Sequence, residues 1–449
     1  MFETLKNAFK VKEIRHKIYW TLLFLLIYRI GCFIPVPGVG TELLNSNITG
    51  SASYLNIMSM MTGGALANGT LFAMGIGPYI NASIIMQLLA VAIPPLERLS
   101  KQGEEGRKKI SAYTRYLAVI LAIVQSIGIL VGYGTLATAE GGDIPKLSAI
   151  IAGGVRNVNG FTNFLSYVII ILFYTAGTCA TIWIGERITD YGVSNGISLL
   201  IFAGIIATVG LFITQQFSLI FSDSFNRTNL LYLIIYLILV VVVFGAIVFV
   251  DLAERKINVQ YAKQVKGRKM YGGQSTVIPI KVNANGVMPL IFAFSILTFP
   301  ELIMTLFNWT NALSWWSTWL GSTSRYPFYA ILLSLLVVFF AFFYSQIQFN
   351  PEDISKTIQQ NGGFIPGIRP GKPTADYLKK ISNRLTLFGA IFLALLALIP
   401  TVVFNFIPTV TNGGAFSATG MLICVSVALE FNTALESQIM MKNYKGFLK

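Results

Sequence analysis

The side chains best suited to covalent or metal chemistry are scarce in this chain. There is one histidine, His16, set among N-terminal basic residues, and there are three cysteines, Cys32, Cys179 and Cys424, each alone in an apolar run. No two have the spacing of a metal site or a disulfide, so the cysteines are expected to pack and His16 to be solvated. The sequence contains neither a GxxxxGKS/T phosphate loop nor an HExxH helix. It therefore predicts no catalysis, no cofactor and no resident metal. Any work must draw on a partner or a transmembrane gradient. What remains is a set of polar side chains inside apolar segments, where they are costly and usually face protein or water: Asn81, Gln87, Gln125 and Ser295.

The elements that must position them are membrane spans. Hydrophobic residues make up 54% of the chain and charged residues 12%, far from the roughly 25% charged of a soluble globular average. Apolar runs of spanning length number ten: Ile18–Ile34, Leu71–Ile93, Leu117–Gly134, Phe164–Ile184, Ile197–Phe212, Leu230–Val250, Val287–Leu306, Phe328–Ile347, Leu385–Phe406 and Met421–Met441. Of 33 Lys and Arg, only Lys146, Arg156, Arg227 and Arg325 fall on the odd-numbered loops, and Arg29 lies within the first span. The rest sit on the even-numbered loops and the termini, which predicts both termini in the cytoplasm. The net charge of +14 thus belongs to topology and to cytoplasmic partners before nucleic acid. The first span runs into Pro35-Val36-Pro37-Gly38 without a small-residue cleavage site and is expected to be retained. Ten spans divide into halves of five, residues 1–215 and 216–449. An odd number per half inverts the second relative to the first, as in folds that form a pathway along the repeat interface.

Three connections carry more than linkage. Ser59–Asn68 is too short and glycine-rich to span, yet apolar enough to bury; it fits a re-entrant segment or an ordinary outer loop. Gly75–Asn81 then weakens or kinks the start of the second span. The loop 251–283 alternates apolar and polar residues around Ile257, Val259 and Tyr261 and again at Val277–Val282, which predicts a β-hairpin-like projection. The loop 348–384 opens with Asn350-Pro351-Glu352-Asp353, a helix start, stopped at Asn361-Gly362-Gly363. A stiff tip, Phe364–Pro373, follows and holds Arg369 among Pro and Gly.

At these motifs the chain resembles the SecY family, the channel-forming subunits of the bacterial Sec protein translocase, over essentially its whole length. The resemblance is carried by Tyr28-Arg29-Ile30-Gly31, Gly63-Gly64-Ala65-Leu66, Pro78–Leu89, Gly185-Glu186-Arg187-Ile188-Thr189, Gly192–Ser198, Tyr261-Ala262-Lys263, Gln274-Ser275-Thr276 and Phe364–Gly371 with Thr374-Ala375. It implies an all-α polytopic fold of ten helices in two inverted halves around an hourglass pore. A short plug helix would lie at about 57–70, including Thr62, Gly63, Gly64, Ala65 and Leu66. The family's ring of bulky aliphatic residues would be Ile76, Ile80, Ile197, Ile201, Ile291 and Ile423, a waist that dewets and blocks ions. Asn81, Gln87, Gln125 and Ser295 would lie on helices flanking a lateral gate. An interhelical hydrogen bond there is worth about 0.6–2 kcal/mol.

The same resemblance implies partners: small membrane subunits SecE and SecG, the SecA ATPase and the ribosome docking on Arg255, Lys263, Arg268, Lys269 and Arg369. The cargo would be unfolded preproteins with their signal sequences, released sideways into membrane lipid, in the bacterial plasma membrane. No nucleic acid beyond ribosomal RNA is implied. Two departures stand out. Ser417-Ala418-Thr419-Gly420 replaces a common Gly-Gly-Thr ahead of Ile423, so Glu430 sets that register, and Asn258 replaces a frequent proline. Three rivals remain at this stage: an inverted-repeat secondary transporter, which calls for a polar midplane site; a non-conducting scaffold or insertase, which needs no plug or ring; and an accessory paralogue for dedicated substrates.

Overall fold

The computed structural model describes residues 2–36, 59, 62–139, 160–221, 227–261, 264–266, 269–271, 275–283, 286, 288–307, 309–320, 328–406 and 418–446. Helices dominate. In chain order they are α1 (Phe2–Lys10), α2 (Lys12–Gly31), α3 (Gly77–Ala92), α4 (Pro94–Lys101), α5 (Glu104–Ala139), α6 (Gly160–Tyr191), α7 (Gly196–Phe221), α8 (Arg227–Leu252), α9 (Met288–Leu306), α10 (Thr310–Leu320), α11 (Phe328–Gln348), α12 (Pro351–Gln360), α13 (Lys372–Phe406) and α14 (Ala418–Gly446). Each of the ten expected spans falls on one of them. Among the described residues six helical stretches have the length and apolarity to cross a membrane, and the bent pair α3–α4 makes a seventh. Gly196–Gly210 and Met288–Glu301 are shorter apolar stretches. The second span begins later than its apolar run: residues 71–76 are turns and the helix starts at Gly77, with Pro78 in its first turn. A proline is tolerated at that position, where its missing N–H is not needed. The helix ends at Ile93, whose extended φ/ψ of −108°/112° is what a following proline imposes, and the chain turns by 106° into α4.

The chain forms two compact units. The first comprises Met1–Ile234, Ser295–Tyr329 and Phe404–Lys449. Within it α3, α5 and α6 pack in succession, α6 continues onto α7, and α7 meets α14. The N-terminal helices lie against the last one: Ala8, Ile14 and Ile18 share a core with Val193 and Leu435, and Thr4 Oγ1 donates to Glu436 Oε1 at 3.2 Å. The ends of α5 and α6 are joined by the ion pair Arg115–Glu186, 3.2 Å.

The second unit comprises Ile235–Phe294 and Ala330–Val403. The hairpin expected in loop 251–283 is present as β1 (Glu254–Tyr261) and β4 (Ser275–Lys281), antiparallel with Ile257 opposite Ile278 and Val259 opposite Thr276. A smaller ladder, β2 (Gln264–Lys266) with β3 (Lys269–Tyr271), lies between them in sequence. The second loop adds a strand: β5 (Gly363–Phe364) pairs with the other edge of β1, giving the order β4-β1-β5. The two loops are therefore one folded module. Its core is Ile257, Val259 and Ile280 from the hairpin with Ile358, Ile365 and Leu378 from the second loop. Along β1 the buried Ile257 and Val259 alternate with exposed Lys256, Asn258 and Gln260, the period-two pattern of a half-buried strand.

Candidate functional site

In the first unit, the segment expected as a plug is folded inward. Thr62, Ala65 and Leu66 are buried, Leu66 completely. Leu66 and Ala67 enter a core with Met74, Ala122 and Ile129 of α5, and Ile170 and Tyr174 of α6. Local bonds shape it: Thr62 Oγ1 donates to Ser59 O (3.2 Å) and accepts from Leu66 N (3.4 Å), and Thr70 Oγ1 donates to Ala65 O (3.0 Å). Ser59 is helical, and the described residues 62–69 that follow form hydrogen-bonded turns. Gly63 and Gly64 have φ of 70° and 82°, a left-handed conformation that a right-handed helix cannot propagate. Residues 57, 58, 60 and 61 of the expected plug lie outside the described residues.

Thr62 closes one side of a cavity of about 10 Å³ whose other walls are Tyr28, Met74, Ile76, Gly77, Ile80, Leu200 and Ile201. A cavity that small has room for about one water. Three of the six expected ring residues, Ile76, Ile80 and Ile201, thus line one small cavity, with Met74 and Leu200 extending its apolar wall. Ile197 Cγ1 lies 3.2 Å from where a Cβ on Gly185 of α6 would sit. Ile423 is buried on α14, which packs on α7. Ile291, half-buried on α9, belongs to the second unit.

Sequence reasoning passed over Arg29. It ends α2, where the helix dipole favours a cation, with its guanidinium 5.2 Å above the Phe33 ring. Its Nη1 is buried with no hydrogen-bond partner among the described residues. It faces the segment expected as a plug: a Cβ on Gly63 would lie 2.8 Å from that Nη1 and 2.9 Å from Gly204 O on α7. The signal was available, since it is the single basic residue inside a predicted span.

The polar residues assigned to a gate lie on α3, α5 and α9. Gln87 Nε2 donates to Ser83 Oγ at 3.3 Å, one turn back on its own helix rather than across helices. Gln125 is buried on α5 with Oε1 unpaired among the described residues. Asn81 is half-buried on α3, and Ser295 is half-buried on α9.

In the second unit the tip around Arg369 is held rigidly. Ile368 packs on the module core and its N–H donates to Ile365 O, 3.0 Å. Gly367 and Gly371 take φ of 83° and 95°, turns closed to most side chains. Buried Thr374 donates its Oγ1 to Arg369 O (2.8 Å), and Ser355 Oγ donates to Gly371 O (2.7 Å). With its backbone fixed on both sides, Arg369 itself is exposed. Arg255 is exposed on β1 opposite Ile280, and Lys269 begins β3. Lys263 and Arg268 lie outside the described residues. Beside the tip, the ends of α11, α12 and α13 enclose a cavity of about 640 Å³ lined by Glu352 and Asp376 together with Lys356, Lys372 and Lys379.

Helices of membrane-crossing length, a folded-in segment beside a small aliphatic cavity and, in the second unit, a rigid basic projection define a multi-pass helical membrane protein. The SecY family profile matches residues 70–432. Protein translocase subunit SecY of Streptomyces coelicolor is 42% identical over 459 residues, covering 100% of both chains. The chain belongs to the SecY family. Among solved structures, a protein-conducting channel superposes with a TM-score of 0.64 at 20% identity, covering 94% of this chain and 92% of that one. Sec61 in a canine ribosome–channel complex superposes with a TM-score of 0.61 at 18% identity over 94% and 92%. At such identities these two speak for the fold.

Proposed function

We propose that this protein is the central protein-conducting channel of a bacterial Sec translocase, threading unfolded secretory chains across the plasma membrane and releasing apolar segments sideways into lipid. The observation that carries the reading is the constriction: Ile76, Ile80 and Ile201 closed down to about one water's volume beneath Thr62 of the plug. A branched aliphatic waist strips ions of hydration and offers a passing peptide no strong binding. A secondary transporter would instead need polar or charged ligands at this depth. In the full assembly the ring also includes Ile197, Ile291 and Ile423, and the halves 1–215 and 216–449 enclose the pore. Asn81, Gln87, Gln125 and Ser295 tune the lateral gate.

Both termini are cytoplasmic in this reading, which the contact of α1 with α14 and the charge asymmetry of the loops support. The module carrying Arg255, Lys263, Arg268, Lys269 and Arg369 then receives the SecA ATPase or the ribosome, with SecE and SecG as membrane partners. A mixed-charge cavity of 640 Å³ beside Arg369 suits a polypeptide segment of such a partner better than a single ion. The test is reconstitution of the chain with its partner subunits in vesicles, with SecA, ATP and an unfolded preprotein. Protease-protected preprotein is expected. Uptake of small solutes with no protected preprotein would overturn the reading in favour of a transporter.

A further inference from the structure

Helix α10 belongs to neither the constriction nor the projection. It joins α9 to α11, and its eleven residues rise about 16 Å, roughly half of the hydrocarbon thickness. The segment Trp309–Trp319 holds Trp309, Trp315, Trp316 and Trp319, four of the six tryptophans in the chain, and no Asp, Glu, Lys or Arg. At 100° per residue, Ala312, Trp315, Trp316, Trp319 and Leu320 share one side of the helix and Asn311, Ser314 and Thr318 the other. On the tryptophan side Trp315 is 57% and Trp319 38% exposed and Trp316 is half-buried, next to Trp309 at 56% and Phe307 at 61%. The hydroxyls opposite are satisfied within the helix, Ser314 Oγ donating to Asn311 O at 2.9 Å and Thr318 Oγ1 to Ser314 O at 2.7 Å.

Both ends are tied to apolar helices of the membrane region. Trp309 N donates to Met304 O of α9 at 3.0 Å, the Phe307 and Trp309 rings stack at 5.6 Å, and Trp319 meets Phe328, the first residue of α11, at 5.9 Å. A segment held there cannot leave the membrane boundary. It is too short to cross it, and indoles, with an apolar body and one N–H, favour the headgroup level. With no charge of its own, the helix has no electrostatic preference for anionic lipid.

We propose that α10 is an interfacial anchor: it lies in the headgroup layer with its tryptophan side turned to the acyl chains of zwitterionic lipid, and so fixes the depth of the adjoining end of α9. Its assignment to the outer leaflet rests on the topology proposed above. The test uses the full chain with Trp20→Phe and Trp183→Phe, and any tryptophan of the co-reconstituted partner subunits also replaced by Phe, so that all remaining indoles report on this segment. The protein is reconstituted with its partner subunits in phosphatidylcholine vesicles brominated either near the headgroup or near the chain end. Quenching is expected to be several-fold stronger with the shallow bromines, with little quenching by aqueous acrylamide. Strongest quenching by the deep bromines, quenching by acrylamide alone, or shielding from both (a protein partner or second copy covering the face) would each overturn the proposal. Should that variant fail to fold, the difference in shallow-bromine quenching between wild type and Trp315→Phe/Trp316→Phe/Trp319→Phe gives the same reading. Preprotein protection measured on the same vesicles separates the two ideas, because transport retained without shallow quenching removes the anchor and leaves the channel standing.

Discussion

Replacing Gly63 by Ala should unseat the plug. Gly63 has a φ of 70°, and a Cβ there would come within 2.8 Å of Arg29 Nη1, 2.9 Å of Gly204 O and 3.3 Å of Ala207 Cβ. The left-handed conformation alone costs an L-residue about 1–2 kcal/mol. The contacts add to that, since Gly204 O is backbone in the middle of α7 and yields little. Once displaced, the segment can relax to negative φ, so the cost falls on the seated state only. A shift of about 1–2 kcal/mol changes the seated-to-displaced ratio by roughly 5–30-fold. Single-channel recording of the purified complex in planar bilayers measures it as opening probability without substrate. Gly210→Ala on α7 is the control, because a Cβ there meets nothing within 4 Å. Opening probability equal to wild type, or raised equally by the control, would refute the reasoning.

Four further outcomes follow from the same geometry. Ile76→Ser with Ile201→Ser should hydrate the constriction and raise ion leak while preprotein transport persists; unchanged conductance would remove both from the ring. Arg369→Glu should abolish SecA-driven translocation without preventing membrane insertion, and Arg369→Lys should impair it, because the loss of a planar bidentate guanidinium matters only at a docking contact; normal transport by the Glu variant would make it a topology charge. Leu378→Ala empties the fully buried centre of the module core and should cost about 2–5 kcal/mol there, read as faster limited proteolysis in loop 348–384. Gln125→Leu removes a buried carbonyl oxygen with no partner among the described residues and should raise Tm in detergent, by a gain of up to about 1–3 kcal/mol; a lower Tm would reveal a hidden partner.

The spans and the hairpin were legible in the sequence because both rest on periodicity: twenty-odd apolar residues in one case, Ile257, Val259 and their polar neighbours in the other. The resemblance supplied Ile76, Ile80 and Ile201 in a register that spacing alone could not single out. The pairing of β5 with β1 was not legible, since two residues a hundred positions away carry no pattern. The short helix expected at 57–70 came from the resemblance, and the turns that follow helical Ser59 rest on the positive φ of Gly63 and Gly64, which residue hydropathy does not encode. Gln87 looked like a cross-helix donor because its partner Ser83, one turn away on its own helix, is equally polar. Helix α10 was hidden by the length criterion itself, which admits only runs long enough to span.

The helix that begins just after the Arg369 tip has a mechanical consequence. α13 runs unbroken from Lys372 to Phe406, about 52 Å, so its first three turns stand clear of a bilayer that the remainder can cross. Leu378, Ile381 and Leu385 bind it to the module. Gly389 brings it so close to the hairpin base that an added Cβ would lie 2.9 Å from Val282 O. Load applied at the tip therefore enters a stiff strut clamped at two heights, with no hinge between to absorb it. A motor pressing on Arg369 would tilt α13 as one body from Lys372 to Leu398, like an oar turned in its rowlock.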